Sequence, residues 1–236
     1  MLHNPRPRPR QSGAETLEFI VVVFLLVVAV IPALYMLAPS LQKAVCNIVD
    51  SLSGTTSDCS AGIIFNDDFS KCPGKWANLM GSLSCGANGA CSAGDKPTQT
   101  LGDGTDGEDY TINAKAQLNA GNGYGVFFRA NENPKGKING YSFQYDKGLG
   151  QFVIRKWTNG AEENPPFARV TPPAGYQWFG VPRDIQVVVK GDTFTVFIDG
   201  KQVLQGKDDT YKSGKVGLRT WYGSESCFKN ISVTKP

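Results

Sequence analysis

The fold is decided by residues 194–204, which read Phe-Thr-Val-Phe-Ile-Asp-Gly-Lys-Gln-Val-Leu. β-Branched and aromatic residues flank an Asp-Gly pair, and this pair favours the tight turn of a two-stranded hairpin. Similar short runs, separated by turn residues, recur at Tyr110–Leu118, Gly125–Arg129, Gly140–Tyr145, Gln151–Trp157, Asp184–Lys190, Thr193–Ile198 and Gly217–Trp221. This spacing predicts an antiparallel β-sandwich over residues 62–236.

The N-terminal quarter of the chain has a different character. Phe19 to Ala38 is a run of twenty residues without a charge, long enough as a helix to cross the roughly 30 Å hydrocarbon core of a bilayer. Basic residues precede the run, which predicts that the N-terminus stays inside and the rest is exported. We expect a helix over residues 14–50 and a Ser/Thr/Gly-rich linker over 51–61, so the fold class is one long hydrophobic helix followed by an all-β sandwich (jelly roll) with disulfides.

Residues 13–19, Gly-Ala-Glu-Thr-Leu-Glu-Phe, resemble the processing site of type IV pilins, and the Glu18-Phe19 pair resembles that of the tight-adherence (Flp/TadE-like) class. The resemblance implies that a prepilin peptidase cleaves between Gly13 and Ala14 and removes residues 1–13 as a basic leader. Glu18 then becomes the fifth mature residue. Because intramembrane charges are usually partnered, Glu18 is expected to pair with the α-amino group of Ala14 on a neighbouring subunit.

The same resemblance implies partners and a location. The partners are identical subunits in a helical filament, the prepilin peptidase and the pilus assembly machinery. The chain would lie in the cytoplasmic membrane before assembly and in an extracellular pilus afterwards. The alternative is an uncleaved signal anchor, in which Glu15 and Glu18 simply favour a helix N-terminus.

All six cysteines follow the apolar run, at positions 46, 59, 72, 85, 91 and 227. An even count on one side of a membrane segment predicts three disulfides formed in an oxidising compartment. A bridge between Cys46 and Cys59 would shorten the tether between the helix and the sandwich.

The body also resembles a second family, the concanavalin/laminin-G-like jelly rolls and, more closely, the keto-disaccharide hydrolase-like domains. The matching phrases lie between residues 62 and 235 and are Phe65–Phe69, Asp109–Ile112, Gly125–Arg129, Gly140–Gln144, Asp199-Gly200 and Cys227–Ile231. The resemblance implies that the first and last strands pair, which places Cys72 beside Cys227. It then leaves Cys85 with Cys91 and Cys46 with Cys59.

Charge and histidine content exclude several functions. Three of the 24 basic residues lie in the leader, so the remainder balances the 21 acidic ones, and no basic patch favours nucleic acid. The single histidine, His3, leaves with the leader, which removes Ser-His-Asp and Cys-His mechanisms. Two carboxylates could still hydrolyse a glycoside, but the acidic strand motif of jelly-roll glycosidases does not occur. We therefore expect no enzyme activity.

Glycan binding is the remaining expectation for the body. Strand alternation puts Phe127 with Arg129, Ser142 with Gln144, Arg155 with Trp157, and Arg219 with Trp221. If these faces line a concave sheet, the tryptophans stack on sugar rings and the polar side chains hydrogen-bond to them. The candidate residues are Arg129, Gln144, Arg155, Trp157, Arg219 and Trp221. The alternative is that each tryptophan is part of the core.

The stretch 102–109 packs four carboxylates among glycines, at Asp103, Asp106, Glu108 and Asp109. Oxygen-rich flexible loops suit Ca²⁺, so Ca²⁺ is the one cofactor that the sequence suggests, although such turns also occur without a metal. The leading hypothesis is a pilus subunit that displays a β-sandwich for adhesion or surface decoration. The alternative is a membrane-anchored glycan-binding protein that does not polymerise, and a carbohydrate-active hydrolase is a distant third.

Overall fold

A computed structural model describes residues 62–235. This part of the chain is built from sixteen β-strands and contains no helix. The leader, the helix, the linker, the cleavage site at Gly13 and Ala14, the assembly residues Glu18 and Phe19, and the cysteines Cys46 and Cys59 lie outside the described residues. Within residues 62–235, no helix is long and apolar enough to cross a membrane.

The strands follow one another closely along the chain. They are β1 (Ile63–Asp67), β2 (Trp76–Met80), β3 (Ser84–Gly86), β4 (Gly89–Ala93), β5 (Thr98–Gly102), β6 (Tyr110–Ala120), β7 (Gly123–Glu132), β8 (Ile138–Asp146), β9 (Gln151–Thr158), β10 (Ala161–Glu162), β11 (Ala168–Val170), β12 (Arg183–Lys190), β13 (Thr193–Ile198), β14 (Lys201–Lys207), β15 (Lys215–Thr220) and β16 (Glu225–Thr234). Every predicted strand is present, which confirms the antiparallel sandwich.

Two eight-stranded sheets form the layers. The first has the order β14-β13-β12-β6-β16-β4-β3, with β1 also paired to β16; the second has the order β10-β9-β8-β7-β15-β5-β2, with β11 also paired to β9. The expected pairing of the first and last strands is confirmed, since Ile63 lies opposite Thr234 and Asp67 opposite Ile231.

Alternate side chains of both sheets fill the core between them. Strands β7 and β8 contribute Tyr124, Phe128, Tyr141 and Phe143, all fully buried, and Phe194 of β13 meets them from the other sheet. Burying each such side chain contributes about 1.5–3 kcal/mol. Because strands alternate, the opposite residues of β7, β8 and β9 point to the outer face of the second sheet.

The hairpin predicted at residues 194–204 is confirmed. Strands β13 and β14 pair through Ile198 and Lys201, and both turn residues have positive φ, 51° at Asp199 and 75° at Gly200. This is the conformation for which Asp-Gly is favoured.

The disulfide pairing within the body differs from the expectation. Cys72 is bonded to Cys85, and Cys91 to Cys227, so the pairing of Cys72 with Cys227 and of Cys85 with Cys91 was wrong. The reason is that β16 is longer than its contact with β1. Its first half pairs with β4, which places Cys227 directly opposite Cys91.

Strand β16 also defines two ends of the sandwich. Gly62 lies beside its C-terminal end, where the carbonyl of Gly62 accepts a hydrogen bond from the amide of Lys235 (2.6 Å). The turn at residues 221–224 precedes its first residue. Ten residues of strand separate these places by about 30 Å. We call them the entry end and the far end.

Candidate functional site

A polar cluster lies on the outer face of the second sheet. Strands β8, β9 and β15 direct Gln144, Arg155 and Arg219 to this face, away from the core between the sheets. Gly125 of β7 stands in register between Gln144 and Arg219. A Cβ atom at Gly125 would lie 2.9 Å from Cγ of Arg219, so the glycine leaves the space that the arginine side chain occupies.

Glu162 is the centre of the cluster. Strand β10 returns along β9 after a turn at Asn159 and Gly160, and this places Glu162 opposite Trp157. One carboxylate oxygen of Glu162 accepts hydrogen bonds from Nη1 of Arg219 and from Nε2 of Gln144 (3.1 Å), and the other lies 3.2 Å from Nε of Arg155. The side chains of Arg155 and Arg219 are buried, whereas that of Glu162 is 24% exposed.

Arg219 lies between two tryptophans. Its guanidinium carbon is 4.6 Å from the ring centre of Trp157 and 4.3 Å from that of Trp221, and cation–π attraction favours both contacts. Burial lowers the pKa of Arg219, and the neighbouring charge of Glu162 opposes that effect. The arrangement fixes the direction of the guanidinium.

Two strands of this face add further polar groups. The Asp146 carboxylate, at the end of β8, accepts a hydrogen bond from the Leu149 amide (2.9 Å). Burial raises the pKa of Asp146, although that hydrogen bond and the charge of Arg155 act in the opposite direction. Gln99 of β5 is half-buried and lies directly opposite Arg219. The face therefore offers donors and acceptors side by side.

Some buried polar atoms of the cluster have no hydrogen-bond partner among residues 62–235. They include Oε1 of Gln144 and Nε of Arg219, and both residues are more than nine-tenths buried. Leaving such an atom without a partner costs about 1–3 kcal/mol. Both atoms have almost no surface open to solvent, so they represent a cost of packing the cluster.

Trp157 does not offer a stacking surface. It is 3% exposed, Arg219 covers one side, Phe127 contacts it edge-on at 5.2 Å between ring centres, and Nε1 donates a hydrogen bond to Oγ of Ser142 (2.8 Å). Trp157 thus forms the floor of the cluster and does not stack on a sugar as expected. Trp221 is half-buried.

Arg129 is the one candidate that the structure places elsewhere. A β-bulge interrupts β7 after Phe128, and Arg129 itself has φ of 45°. The side chain therefore turns away from the outer face, donates to the carbonyl oxygens of Glu108 (2.9 Å) and Tyr211 (3.1 Å), and pairs with Asp109. Its assignment to the glycan site was wrong because the bulge breaks the strand alternation.

Glu162 is the residue that sequence reasoning missed. A signal was present: Asn159-Gly160 is the preferred turn pair of a two-residue hairpin, and a hairpin there returns Glu162 to the position beside Trp157.

The acidic turn between β5 and β6 does not assemble the expected calcium site. Asp103 pairs with Lys215 (3.0 Å), and Asp109 pairs with Arg129 (3.2 Å). Among the described residues, no three acidic, cysteine or histidine side chains come together as metal ligands. Two of the four carboxylates, at Asp103 and Asp109, are instead used to hold neighbouring strands.

Solved structures with the same fold include sugar-binding proteins and enzymes. A carbohydrate-binding module, CBM66, from Bacillus subtilis is 22% identical, with a TM-score of 0.59 over 68% of this chain and 96% of the module. The carbohydrate recognition domain of Emp47p is 16% identical, with a TM-score of 0.55 over 76% and 99%. A β-glucanase from Bacillus licheniformis is 9% identical, with a TM-score of 0.54 over 75% and 99%. At these identities the likeness establishes the fold alone.

No curated protein matches the chain in a sequence search. A family model, in contrast, matches residues 64–234, which is nearly all of the sandwich. The chain belongs to the family of 3-keto-α-glucoside-1,2-lyase-like domains.

Proposed function

We propose that the β-sandwich is a glycan-binding domain and that the Glu162 cluster is its site. The observation that carries the proposal is the pairing of one partly exposed carboxylate with two buried, fixed guanidinium groups. A sugar hydroxyl is both a donor and an acceptor. Glu162 can accept from one hydroxyl while Arg219 or Arg155 donates to its neighbour.

The charges of the cluster favour a neutral sugar. Two arginines face the carboxylates of Glu162 and Asp146, so no large positive charge remains to attract an acidic ligand. The half-buried ring of Trp221 adds an apolar surface, which sugar rings use for contact. Burial of the guanidinium groups strengthens their hydrogen bonds, because the local dielectric is low.

The test is a glycan array followed by calorimetry on the full chain, purified in a detergent without a sugar head group. We expect a neutral glycan to bind, and Glu162→Gln to weaken that binding by about tenfold or more, since a charge-assisted hydrogen bond is lost. Asp184→Asn is the matched control, because this carboxylate lies in the other sheet and pairs with an exposed lysine. No binding to any sugar, with or without Ca²⁺, would refute the proposal.

Binding without turnover is part of the same proposal. The family is named after a lyase and one similar fold is a glucanase, so the bound glycan should be incubated with the protein and analysed by chromatography. An unchanged glycan is the expected result. Release of new sugar products that Glu162→Gln abolishes would instead assign catalysis to this cluster.

The N-terminal sequence supports a proposal about where the domain acts. We propose that prepilin-type cleavage after Gly13 and assembly through Glu18 carry the domain into an extracellular filament. N-terminal sequencing of the mature protein should then start at Ala14. Glu18→Ala should leave membrane insertion intact and reduce the yield of filaments, whereas an intact Met1 would indicate an anchored protein that does not polymerise.

A further inference from the structure

One row of residues crosses the outer face of the second sheet and passes through the candidate site. Backbone pairing places Arg219 opposite Gly125 on one side and opposite Gln99 on the other. Gly125 in turn pairs with Gln144, and Gln99 pairs with Met80 of the edge strand β2. We call these five residues the outer row. Residues that lie directly opposite one another in neighbouring strands project to the same face of a sheet, so the outer row extends the site toward β2.

Gln99 lies on the side of Arg219 that faces away from Glu162. The side chain of Arg219 runs in the opposite direction, over Gly125, and its guanidinium bonds to Glu162 beyond it. The half-buried side chain of Gln99 makes no hydrogen bond with another described residue. An amide carries both donors and an acceptor, so Gln99 can bind hydroxyl groups of a ligand.

Met80 ends the outer row with an apolar side chain that is 43% exposed, although methionine is usually buried. A β-bulge between Asn78 and Met80 inserts one extra residue, Leu79, and bulges redirect side chains. Trp157, the floor beneath Arg219, belongs to a small buried apolar group on this face. Leu79 packs against that group, which consists of Leu101, Phe127, Ala130, Ile138 and Trp157. Met80 therefore adjoins the apolar group that supports the Glu162 cluster, and it remains exposed.

The outer row is longer than one sugar unit. From Gln144 on β8 to Met80 on β2 it crosses the gaps between five successive strands, a distance of about 19 Å at the usual strand spacing. A single six-membered sugar ring is much shorter. Arg219 is the one charged member of the row, and Glu162 balances its charge. The length and the absence of a net charge fit a neutral chain of sugar units.

We propose that Gln99 and Met80 extend the glycan site and that its ligand is a neutral oligosaccharide that lies along the outer row. One sugar unit binds at Glu162 and Arg219. The next unit exchanges hydrogen bonds with Gln99, and the apolar face of a further unit contacts Met80. This inference rests on the proposed glycan-binding function and adds the length and the direction of the ligand to it.

The experiment measures the affinity for one neutral sugar as a single unit and as chains of two, three and four units, by calorimetry on the full chain. Wild-type affinity should rise on the order of tenfold from the single unit to a chain that reaches Met80, because a hydrogen bond and an apolar contact are added. Replacing both Gln99 and Met80 by Ala should abolish this gain. Met80→Leu alone should keep most of it, because the apolar contact remains.

Ile63→Ala is the matched control, because Ile63 is an exposed apolar residue (51%) on an outer strand of the other sheet and should not affect the gain. A gain with chain length that survives in the double variant, or no gain in the wild type, would overturn the extended site while binding at Glu162 stands. If no sugar of any length binds, the glycan site itself fails. Unfolding temperatures of the variants, expected to equal that of the wild type, exclude a folding defect.

Discussion

Replacing Glu162 by Gln removes the only carboxylate that contacts both Arg155 and Arg219 among the described residues. Removing one partner of a fully buried ion pair costs about 3–5 kcal/mol, because the other charge stays buried without compensation. Glu162 is 24% exposed, so water can partly solvate the two guanidinium groups. We therefore expect the free energy of unfolding to fall by about 2 kcal/mol.

The assay is equilibrium unfolding in urea at neutral pH, analysed for both the free energy and its slope with denaturant. Asp184→Asn makes the same chemical change in an exposed ion pair and should cost less than about 1 kcal/mol. Glu162→Gln combined with Arg219→Met removes one charge of each sign and keeps an unbranched side chain between the tryptophans.

The coupling between the two substitutions tests whether Glu162 holds Arg219 in place. Arg219→Met should be less costly in the Glu162→Gln background than alone, with an interaction energy of about 1–3 kcal/mol. If the two effects are additive, or if Glu162→Gln costs no more than Asp184→Asn, the carboxylate does not hold the arginines in place. The reasoning about a fixed, preorganised site would then be refuted.

Two further predictions concern pH and the disulfides. Burial acts to raise the pKa of Asp208, but hydrogen bonds from Thr210 and Tyr141 outweigh it and lower that pKa to about 2. The stability that this carboxylate contributes is therefore present above about pH 4 and is lost as the pH falls through 2. Urea unfolding at pH 5 and pH 2 should show a loss about 2 kcal/mol greater in the wild type than in Asp208→Asn, and equal losses would contradict this. Replacing both Cys91 and Cys227 by Ala should lower the free energy of unfolding by about 3–5 kcal/mol, because the bridge closes a loop across 136 residues. A loss below about 1 kcal/mol in the same assay would contradict the loop-closure argument.

The sheets were largely predictable from local sequence, because side-chain alternation and turn residues act over short distances. Asp199-Gly200 placed a hairpin correctly, and Asn159-Gly160 carried the information for another. Pairing between strands that lie far apart in the sequence could not be predicted in this way. The contact of β4 with the first half of β16 determines the Cys91–Cys227 bridge, and no local pattern around either cysteine specifies it.

The candidate site was predictable where strands are regular. Gln144, Arg155 and Arg219 reach the same face because β8, β9 and β15 keep a period of two. The side chain of Arg129 does not reach this face, because one extra residue in β7 turns it the other way. A bulge of this kind depends on the partner strand, so the local sequence does not reveal it. The burial of Trp157 could not be predicted from the sequence either, because Arg219, which covers one side of the ring, lies far away in the chain.

The place where the chain enters the sandwich determines how the domain would respond to mechanical force. A pull on Gly62 away from the far end acts along β1, antiparallel to its hydrogen-bonded partner β16. Such shear loads the hydrogen bonds of β1 together, whereas a peeling force would break them one by one. If β1 does slide out, extension stops at Cys72, because its bond to Cys85 and the bond of Cys91 to Cys227 anchor the next segment. The domain would thus lengthen by about ten residues under load, while the strands that carry the proposed site around Glu162 stay folded.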